Sequence, residues 1–398
     1  MPFNRHFNRR SALGSAAGIA AIGSVFDSRD AAAKLPAGAD VEPRGAVGIL
    51  ERLPTLELES NEEFLLTFRK WVNGRLNTAA MQSAARVLKA HGLDPKADIA
   101  MDQAVALLKD DPINAVRNHV WSRAQHHSWG NLRREFHAHY DAYMAEMEAA
   151  DAAGPGTLEL NPGMAIPDYI RHEYHTQPGG YVGDPFAGHM YHYLTNSFNE
   201  GRNDQDEMHR RMAQTLPVPA DGQVRRVLDL GCGIGRQTIA LKQRFPEAEV
   251  WGIDVGGPLV RYAHMRAVDL GVEVHFAQRL AEDTRFPDNH FDAITSYIIH
   301  HEVPAEISRK IFAEVHRILR PGGHYYPIDF FTAGGRPPRD AYGRLRSWVS
   351  HRWVHEPWML EYGEMDFDAD LAAAGFEVGK AGSSGFGGRP NVIATKPA

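Results

Sequence analysis

An apolar run that passes directly into alternating glycines constrains the fold of this 398-residue chain more than any other feature. Residues 227–235 read VLDLGCGIG, and a second apolar run, residues 250–253, ends at Asp254, 19 residues beyond Gly235. Glycine permits positive φ and lets a ligand approach the backbone closely, and the following helix presents unpaired N–H groups. A carboxylate at the end of the next strand can bind both ribose hydroxyls. The two strand ends therefore predict a nucleotide pocket at the carboxyl edge of a parallel sheet.

The spacing of the glycines favours S-adenosylmethionine (SAM) over a nicotinamide dinucleotide. The dinucleotide fingerprint G-x-G-x-x-G needs a third glycine at the position that Arg236 occupies. The segment instead reads D-x-G-x-G-x-G from Asp229, with Asp254 in register for the ribose. An NAD-dependent dehydrogenase is the enzyme alternative that Arg236 disfavours, and a purely structural turn is the alternative without a ligand.

Residues 222–330 resemble class I SAM-dependent methyltransferases, in the broad family that contains the ubiquinone and menaquinone C-methyltransferases and many small-molecule enzymes. The resembling domain is expected to continue to residue 398. The segments that carry the resemblance lie in the family's order and spacing: 227–235, 252–254, 281–283 with 286–288 and 291–292, and 319–323. It implies the fold and the cofactor, while the methyl acceptor is held by elements that vary within the family.

The resemblance also implies a role for individual residues around the cofactor. Those expected to bind SAM are Asp229, Gly231, Gly233 and Gly235 at the methionine end, Asp254 and Val255 at the ribose, Ala281 and Glu282 at the adenine, and Ser296 on the fourth strand. Leu280 replaces the acid that commonly precedes this alanine, so backbone groups or Glu282 are expected to contact the adenine instead.

Two consecutive histidines, His300 and His301, follow the fourth strand and are the candidate catalytic residues. An imidazole near its unperturbed pKa can remove a proton from a phenol, a thiol or an activated carbon acid at neutral pH. The alternative is that the pair simply begins the following helix.

The expected fold class is α/β, with a doubly wound, mostly parallel, seven-stranded Rossmann-like methyltransferase sheet and an N-terminal helical domain. Strand and helix patterns alternate beyond residue 221, and the runs at 376–378 and 391–395 predict a closing strand pair whose last strand is antiparallel. A capping box at 60–63 predicts the start of a helix in the N-terminal half. The predicted segments are 1–35, a possible export signal; 43–150, helical; 151–220, a Gly/Pro/His/Tyr-rich connection and cofactor lid; and 221–398, the SAM-binding domain with an aromatic insert at 332–364.

Aromatic residues outside the glycine motif are the candidate substrate-binding groups: Tyr181, Tyr191, Trp348, Trp353 and Trp358. The tyrosines belong to the expected lid. The tryptophans either offer apolar faces to a flat or cationic acceptor or pack the insert onto the N-terminal helices.

Four histidines form two closely spaced pairs, His172 with His175 and His189 with His192. They could ligate a metal if each pair lay on one helix face. Chance clustering among 21 histidines is the competing explanation, and a wall of the substrate pocket is the favoured interpretation. No metal is therefore assigned.

Composition limits the partners and the compartment. A formal charge of −7 provides no basic surface for nucleic acid. Arg9 and Arg10 precede a mild apolar run and Ala31–Ala33, so the leader resembles a twin-arginine export signal. Export to the periplasm and retention in the cytoplasm, where SAM is made, both stay open. The run is too short for stable membrane insertion, and no feature indicates an oligomeric state.

The sequence therefore predicts a SAM-dependent methyltransferase that acts on a small or medium-sized organic acceptor, with O- or C-methylation favoured. A SAM-binding sensor or scaffold without transfer activity is the second hypothesis.

Overall fold

The computed structural model describes residues 48–383 and 390–398, so the predicted export signal lies outside the described residues. Its helices are α1 (Leu56–Trp71), α2 (Asn77–Ala90), α3 (Met101–Leu108), α4 (Pro112–Ala138), α5 (Tyr140–Asp151), α6 (Ala187–Phe198), α7 (Glu207–Thr215), α8 (Arg236–Arg244), α9 (Gly257–Leu270), α10 (Ala305–Ile318), α11 (Ala341–Trp353), α12 (Met359–Glu364) and α13 (Phe367–Ala373). Its strands are β1 (Gly156–Glu159), β2 (Arg226–Leu230), β3 (Glu249–Asp254), β4 (Val274–Gln278), β5 (Phe291–Tyr297), β6 (Leu319–Ile328), β7 (Glu377–Ser383) and β8 (Pro390–Thr395).

The strands form one mixed sheet in the order β1-β4-β3-β2-β5-β6-β8-β7. The first six are parallel to their neighbours, whereas β8 lies antiparallel between β6 and β7. This confirms the α/β class and the antiparallel last strand. The strand order reverses between β2 and β5, since β3 and β4 follow on one side of β2 and β5 and β6 on the other. Ligands of open α/β sheets bind at the carboxyl ends of the strands beside such a switch point.

The sheet has eight strands rather than the predicted seven. The additional strand, β1, pairs in parallel with β4 and comes from the segment that the sequence assigned to a linker. Gly156 makes this possible, because a Cβ there would lie 2.0 Å from the carbonyl oxygen of Val274. The connection at 151–220 therefore begins as part of the sheet.

The central strands read as continuous apolar runs because helices cover both of their faces. Leu228, Leu230 and Ile294 belong to one buried cluster and Val227 and Val250 to another. Helix α10 and the β6 strand close the first cluster, and α8 and α9 close the second. This packing fixes the strand ends that carry the glycine turn and Asp254.

The N-terminal helices pack against the insert as well as against each other. Ala84, Leu88 and Leu108 share a buried cluster with Leu345 and Val349 of α11. The first described helix starts at Leu56, capped by the Thr55 hydroxyl, so the helix start predicted at 60–63 is wrong. The Thr55 cap occurs one turn earlier and is sufficient by itself. No described helix is both long enough and apolar enough to cross a bilayer.

Candidate active site

The glycine turn between β2 and α8 lies against the carboxylate at the end of β3. The backbone N–H of Gly233 donates to Asp254 Oδ2 at 3.0 Å, and that of Gly256 donates to Oδ1 at 2.8 Å. One carboxylate therefore joins the turn after β2 to the turn after β3. Burial raises the pKa of Asp254 to about 6.

Two adjoining cavities open at this strand edge and share Gly231, Gly233, Tyr191, Tyr297 and Ile298. The first, which we call the donor cavity, has an empty volume of about 730 Å³. The second, the acceptor cavity, has an empty volume of about 1960 Å³ and extends to the N-terminal helices and the insert. The glycine turn thus lies between the two cavities.

The donor cavity brings together the four residues that the sequence assigned to the ribose and adenine. Asp254, Val255, Ala281 and Glu282 all line it. The hydroxyl of Tyr169 donates to the Glu282 carboxylate, which fixes that side chain at the cavity wall. Tyr169 was not found from the sequence, because it lies in the irregular connection more than one hundred residues before its partner.

Asp229, which the sequence assigned to the methionine end of the cofactor, lines the acceptor cavity rather than the donor cavity, beside the shared Gly231 and Gly233. The hydroxyl of Thr238 donates to Asp229 at 2.7 Å, while burial raises the pKa of the carboxyl to about 7. Among residues 48–383 and 390–398, no cation forms an ion pair with this carboxylate. A buried acid of this kind suits a ligand that carries an ammonium group.

The residues present therefore fit SAM. Glycines leave the backbone open, Asp254 holds both turns and keeps lone pairs for hydroxyls, and Asp229 can receive a positive charge. Gly235 lies outside both cavity walls, and a Cβ there would lie 2.6 Å from Phe276 Cζ, so its role is close packing of α8 on the sheet.

His301 is the histidine of the predicted pair that faces the acceptor cavity. It is only 2% exposed, and its Nδ1 lies 2.7 Å from Asp329 Oδ1. Burial alone would lower the pKa of His301, but the Asp329 carboxylate more than offsets this, and the net pKa is raised. A carboxylate accepts only, so Nδ1 carries the proton and Nε2 holds the lone pair of the neutral ring.

His300 and Ser296 point away from both cavities into the core, and neither prediction fits their positions. His300 Nε2 lies 2.7 Å from the Tyr325 hydroxyl, which also lies 2.8 Å from Ser296 Oγ. The imidazole packs against Phe312 and Phe367. Burial lowers the pKa of His300 to about 4, and its ring serves the core rather than the chemistry.

The predicted lid contributes two tyrosines to the cavity walls. Tyr181 lines the donor cavity, and Tyr191 lines both cavities, edge to face with Tyr181. The Tyr181 hydroxyl donates to Glu302 Oε1 at 3.0 Å, and that acid also contacts His175 Nε2 at 3.3 Å. Glu302 was missed although it directly follows the histidine pair.

None of the three predicted tryptophans lines either cavity. Trp348 packs on the N-terminal helices and meets the edge of Trp353, which is 43% exposed. The Trp358 indole donates to the Tyr169 carbonyl at 3.2 Å. These tryptophans therefore serve in packing, which was the second interpretation of them from the sequence. The insert reaches the acceptor cavity through other side chains, among them Arg346, Val349 and Glu356.

The two histidine pairs do not converge on one point. His175 lies between the carboxylates of Glu302 and Glu356, each 3.3 Å away. Burial opposes protonation there, but the two acids together raise the pKa of His175 to about 10. His189 and His192 lie on α6 against Tyr262. Within the described residues, no group of three or more His, Cys, Asp or Glu side chains could hold a metal ion.

A methyl group added at Gly233 is expected to weaken SAM binding without preventing folding. Gly233 has φ of +51°, and the nearest atom to a Cβ there is Tyr191 Cε1 at 4.0 Å, so Gly233→Ala would place the methyl in the ligand space. Gly222→Ala is the matched control, since Gly222 has φ of +72° with nothing within 4 Å. Each variant should cost about 1 kcal/mol of stability.

Calorimetric titration with SAM checks this expectation. Gly233→Ala should bind at least about tenfold more weakly than the parent, a loss near 1.4 kcal/mol, while Gly222→Ala binds normally. Equal affinity of both variants for SAM would show that the open face of the glycine turn is not the ligand site.

Comparison with known proteins identifies the segment that surrounds this cleft. The protein family described as "Methyltransferase domain" matches residues 227–323. A demethylmenaquinone methyltransferase of Thermus thermophilus is 36% identical over 120 residues, 30% of this chain and 51% of the relative. A fatty-acid O-methyltransferase of Mycolicibacterium smegmatis is 32% identical over 130 residues, 32% of this chain and 46% of the relative.

The chain thus spans about half the length of these curated relatives. Among solved structures, the YcgJ protein of Bacillus subtilis is similar with a TM-score of 0.36 and 26% identity, over 44% of this chain and 69% of that one. The matched residues contain the glycine turn, Asp254 and the histidine pair, whereas the N-terminal helices and the insert lie outside them.

Proposed function

We propose that this chain, whose residues 227–323 match the family described as "Methyltransferase domain", is a class I SAM-dependent methyltransferase that transfers the methyl group of SAM to a small organic acceptor. The observation that carries the proposal is the pair of cavities that meet at Gly231 and Gly233. A transferase must hold two reactants in contact while it excludes water, and adjoining cavities supply that arrangement.

SAM supplies an activated methyl group on a sulfonium, so the protein need only position the acceptor and remove its proton. Asp254, positioned by the Gly233 N–H, would hold the ribose, and Asp229 the ammonium of the methionine end. Tyr181 and Tyr191 would cover the donor cavity from the side of α6.

Within the acceptor cavity, His301 is the group suited to take a proton. Its Nε2 is the lone-pair nitrogen, and Asp329 would stabilise the imidazolium that forms. An acceptor with a hydroxyl or an acidic carbon fits this pairing, so O- or C-methylation is the proposed reaction. Phe330, Phe331, Val349 and Met359 give the same cavity an apolar wall.

The test is transfer from labelled SAM in an extract of small metabolites from the host. The purified chain should transfer the labelled methyl group to at least one metabolite identified by mass spectrometry, and boiled protein should not. Tight SAM binding with no methylated product would favour the sensor or scaffold hypothesis instead.

A further inference from the structure

Two buried arginines without an acidic partner line the acceptor cavity. Arg69 of α1 is 3% exposed and Arg117 of α4 is 2% exposed. Within residues 48–383 and 390–398, no carboxylate forms an ion pair with either one. Arg69 Nε and Nη1 and Arg117 Nε have no hydrogen-bond partner in the part of the chain that the structure describes. Buried charges are ordinarily paired, because removing an unpaired charge from water is energetically unfavourable.

The two guanidinium groups lie over one aromatic ring. The Arg69 Cζ atom lies 5.0 Å and the Arg117 Cζ atom 5.8 Å from the centre of the Trp121 ring. Arg69 also lies 4.6 Å from the centre of the Phe198 ring. Stacking offsets part of the desolvation. Arg117 Nη1 donates to Asn118 Oδ1 at 3.2 Å, whereas Arg69 Nε and Nη1 and Arg117 Nε keep their N–H groups for an acceptor atom.

Charges elsewhere in the cavity do not neutralise this pair. The acidic residues that line the cavity are Asp229, which accepts a hydrogen bond from Thr238, and Glu356, which contacts His175. Glu200 acts on Arg69 at longer range, but its carboxylate is bound by Arg202 at 2.7 Å. Two further arginines line the cavity: Arg346 of the insert, which donates to Asn77 Oδ1 at 3.1 Å, and Arg236, which is paired with Asp206 at 3.1 Å.

We propose that Arg69 and Arg117 bind an anionic oxygen group of the methyl acceptor, a carboxylate or a phosphate, so that the acceptor is an organic acid with an apolar body. The inference rests on the proposed methyltransferase function. Guanidinium forks pair such groups through two parallel N–H bonds, and the aromatic and aliphatic walls accommodate the body. Both arginines lie outside residues 227–323, the segment that matches the methyltransferase domain family.

The test is calorimetric titration with three naphthalene probes that differ in one group: 2-naphthoate, 2-naphthyl phosphate and neutral 2-naphthalenemethanol. Each is titrated with and without saturating S-adenosylhomocysteine (SAH). The better anionic probe should bind at least about tenfold more tightly than the neutral one, as one charge-assisted hydrogen bond would give. Which of the two is better distinguishes a carboxylate from a phosphate.

The variants are Arg69→Met and Arg117→Met, singly and together, with Arg123→Met on the exposed face of α4 as the control. Methionine keeps apolar contact with Trp121 and removes an unpaired buried charge, so the melting temperature should not fall. The double variant should lose the preference for anions, and Arg123→Met should keep it. Arg69→Lys, which keeps the charge, should retain part of it.

Two results would overturn the inference. One is equal affinity of the parent for anionic and neutral probes. The other is loss of SAH affinity in the double variant with the anion preference unchanged, which would assign the arginines to the methionine carboxylate. Failure of the parent to bind SAH at all would instead remove the proposed function, and the titrations without SAH would still report on the arginine pair.

Discussion

Asp254→Ala is expected to lower the affinity for SAM by about 100-fold or more while the chain still folds. The carboxylate accepts from Gly233 and Gly256, and it is the acid that would meet the ribose. Hydrogen bonds to a charged group contribute about 1.5–3 kcal/mol each. The loss of two such bonds to the ribose hydroxyls would therefore weaken SAM binding by about 100-fold or more. Calorimetry with SAM and with SAH measures the change.

Two further variants separate ligand binding from support of the turns. Asp254→Asn keeps a side-chain oxygen for one backbone N–H and should fall between the parent and alanine. Asp102→Ala, at an exposed position in the first turn of α3, should bind like the parent. A folded Asp254→Ala protein with parental affinity for SAM would remove the ribose role.

His301→Gln is expected to reduce kcat by about 100-fold or more and to change SAM affinity little. General-base catalysis ordinarily contributes a factor of about 10²–10⁴, and the glutamine cannot take the proton. His300→Gln is the neighbouring comparison. Because His300 bonds Tyr325 in the core, its loss should lower the melting temperature and leave kcat much closer to the parent value.

The pH profile distinguishes a base from a merely structural histidine. Only the neutral imidazole can accept a proton. Activity should therefore rise as pH rises through the pKa of His301, which lies above its usual range. In Asp329→Asn the carboxylate is gone while burial persists, so the inflection should move to lower pH. An unchanged inflection in Asp329→Asn, or parental kcat in His301→Gln, would contradict the assignment.

The strand-end motifs were predictable because each combines a local signal with a fixed place in the sheet. The glycine run and Asp254 specify a turn and an acid at the same sheet edge, whichever helices cover the faces. Asp329 obeys the same rule at the end of β6, and an acid directly after a strand was the signal that could have found it.

The acceptor side was not predictable in the same way. Arg69, Arg117 and Arg346 come from three separate helices, and only the tertiary packing of α1, α4 and α11 brings them to one cavity. The tryptophans show the converse. Their density in the insert suggested a ligand-binding surface, but in the structure they pack against other parts of the protein. Neighbouring histidines also diverged, because consecutive residues of a short helical turn face different directions and only His301 reaches the cavity.

The central claim is that the cleft between the β2 and β3 turns binds SAM, and calorimetry of the unaltered protein with SAH tests it most directly. We expect one molecule of SAH bound per chain and no measurable heat with NAD. A chain that binds NAD, or that binds neither SAM nor SAH, would contradict the account.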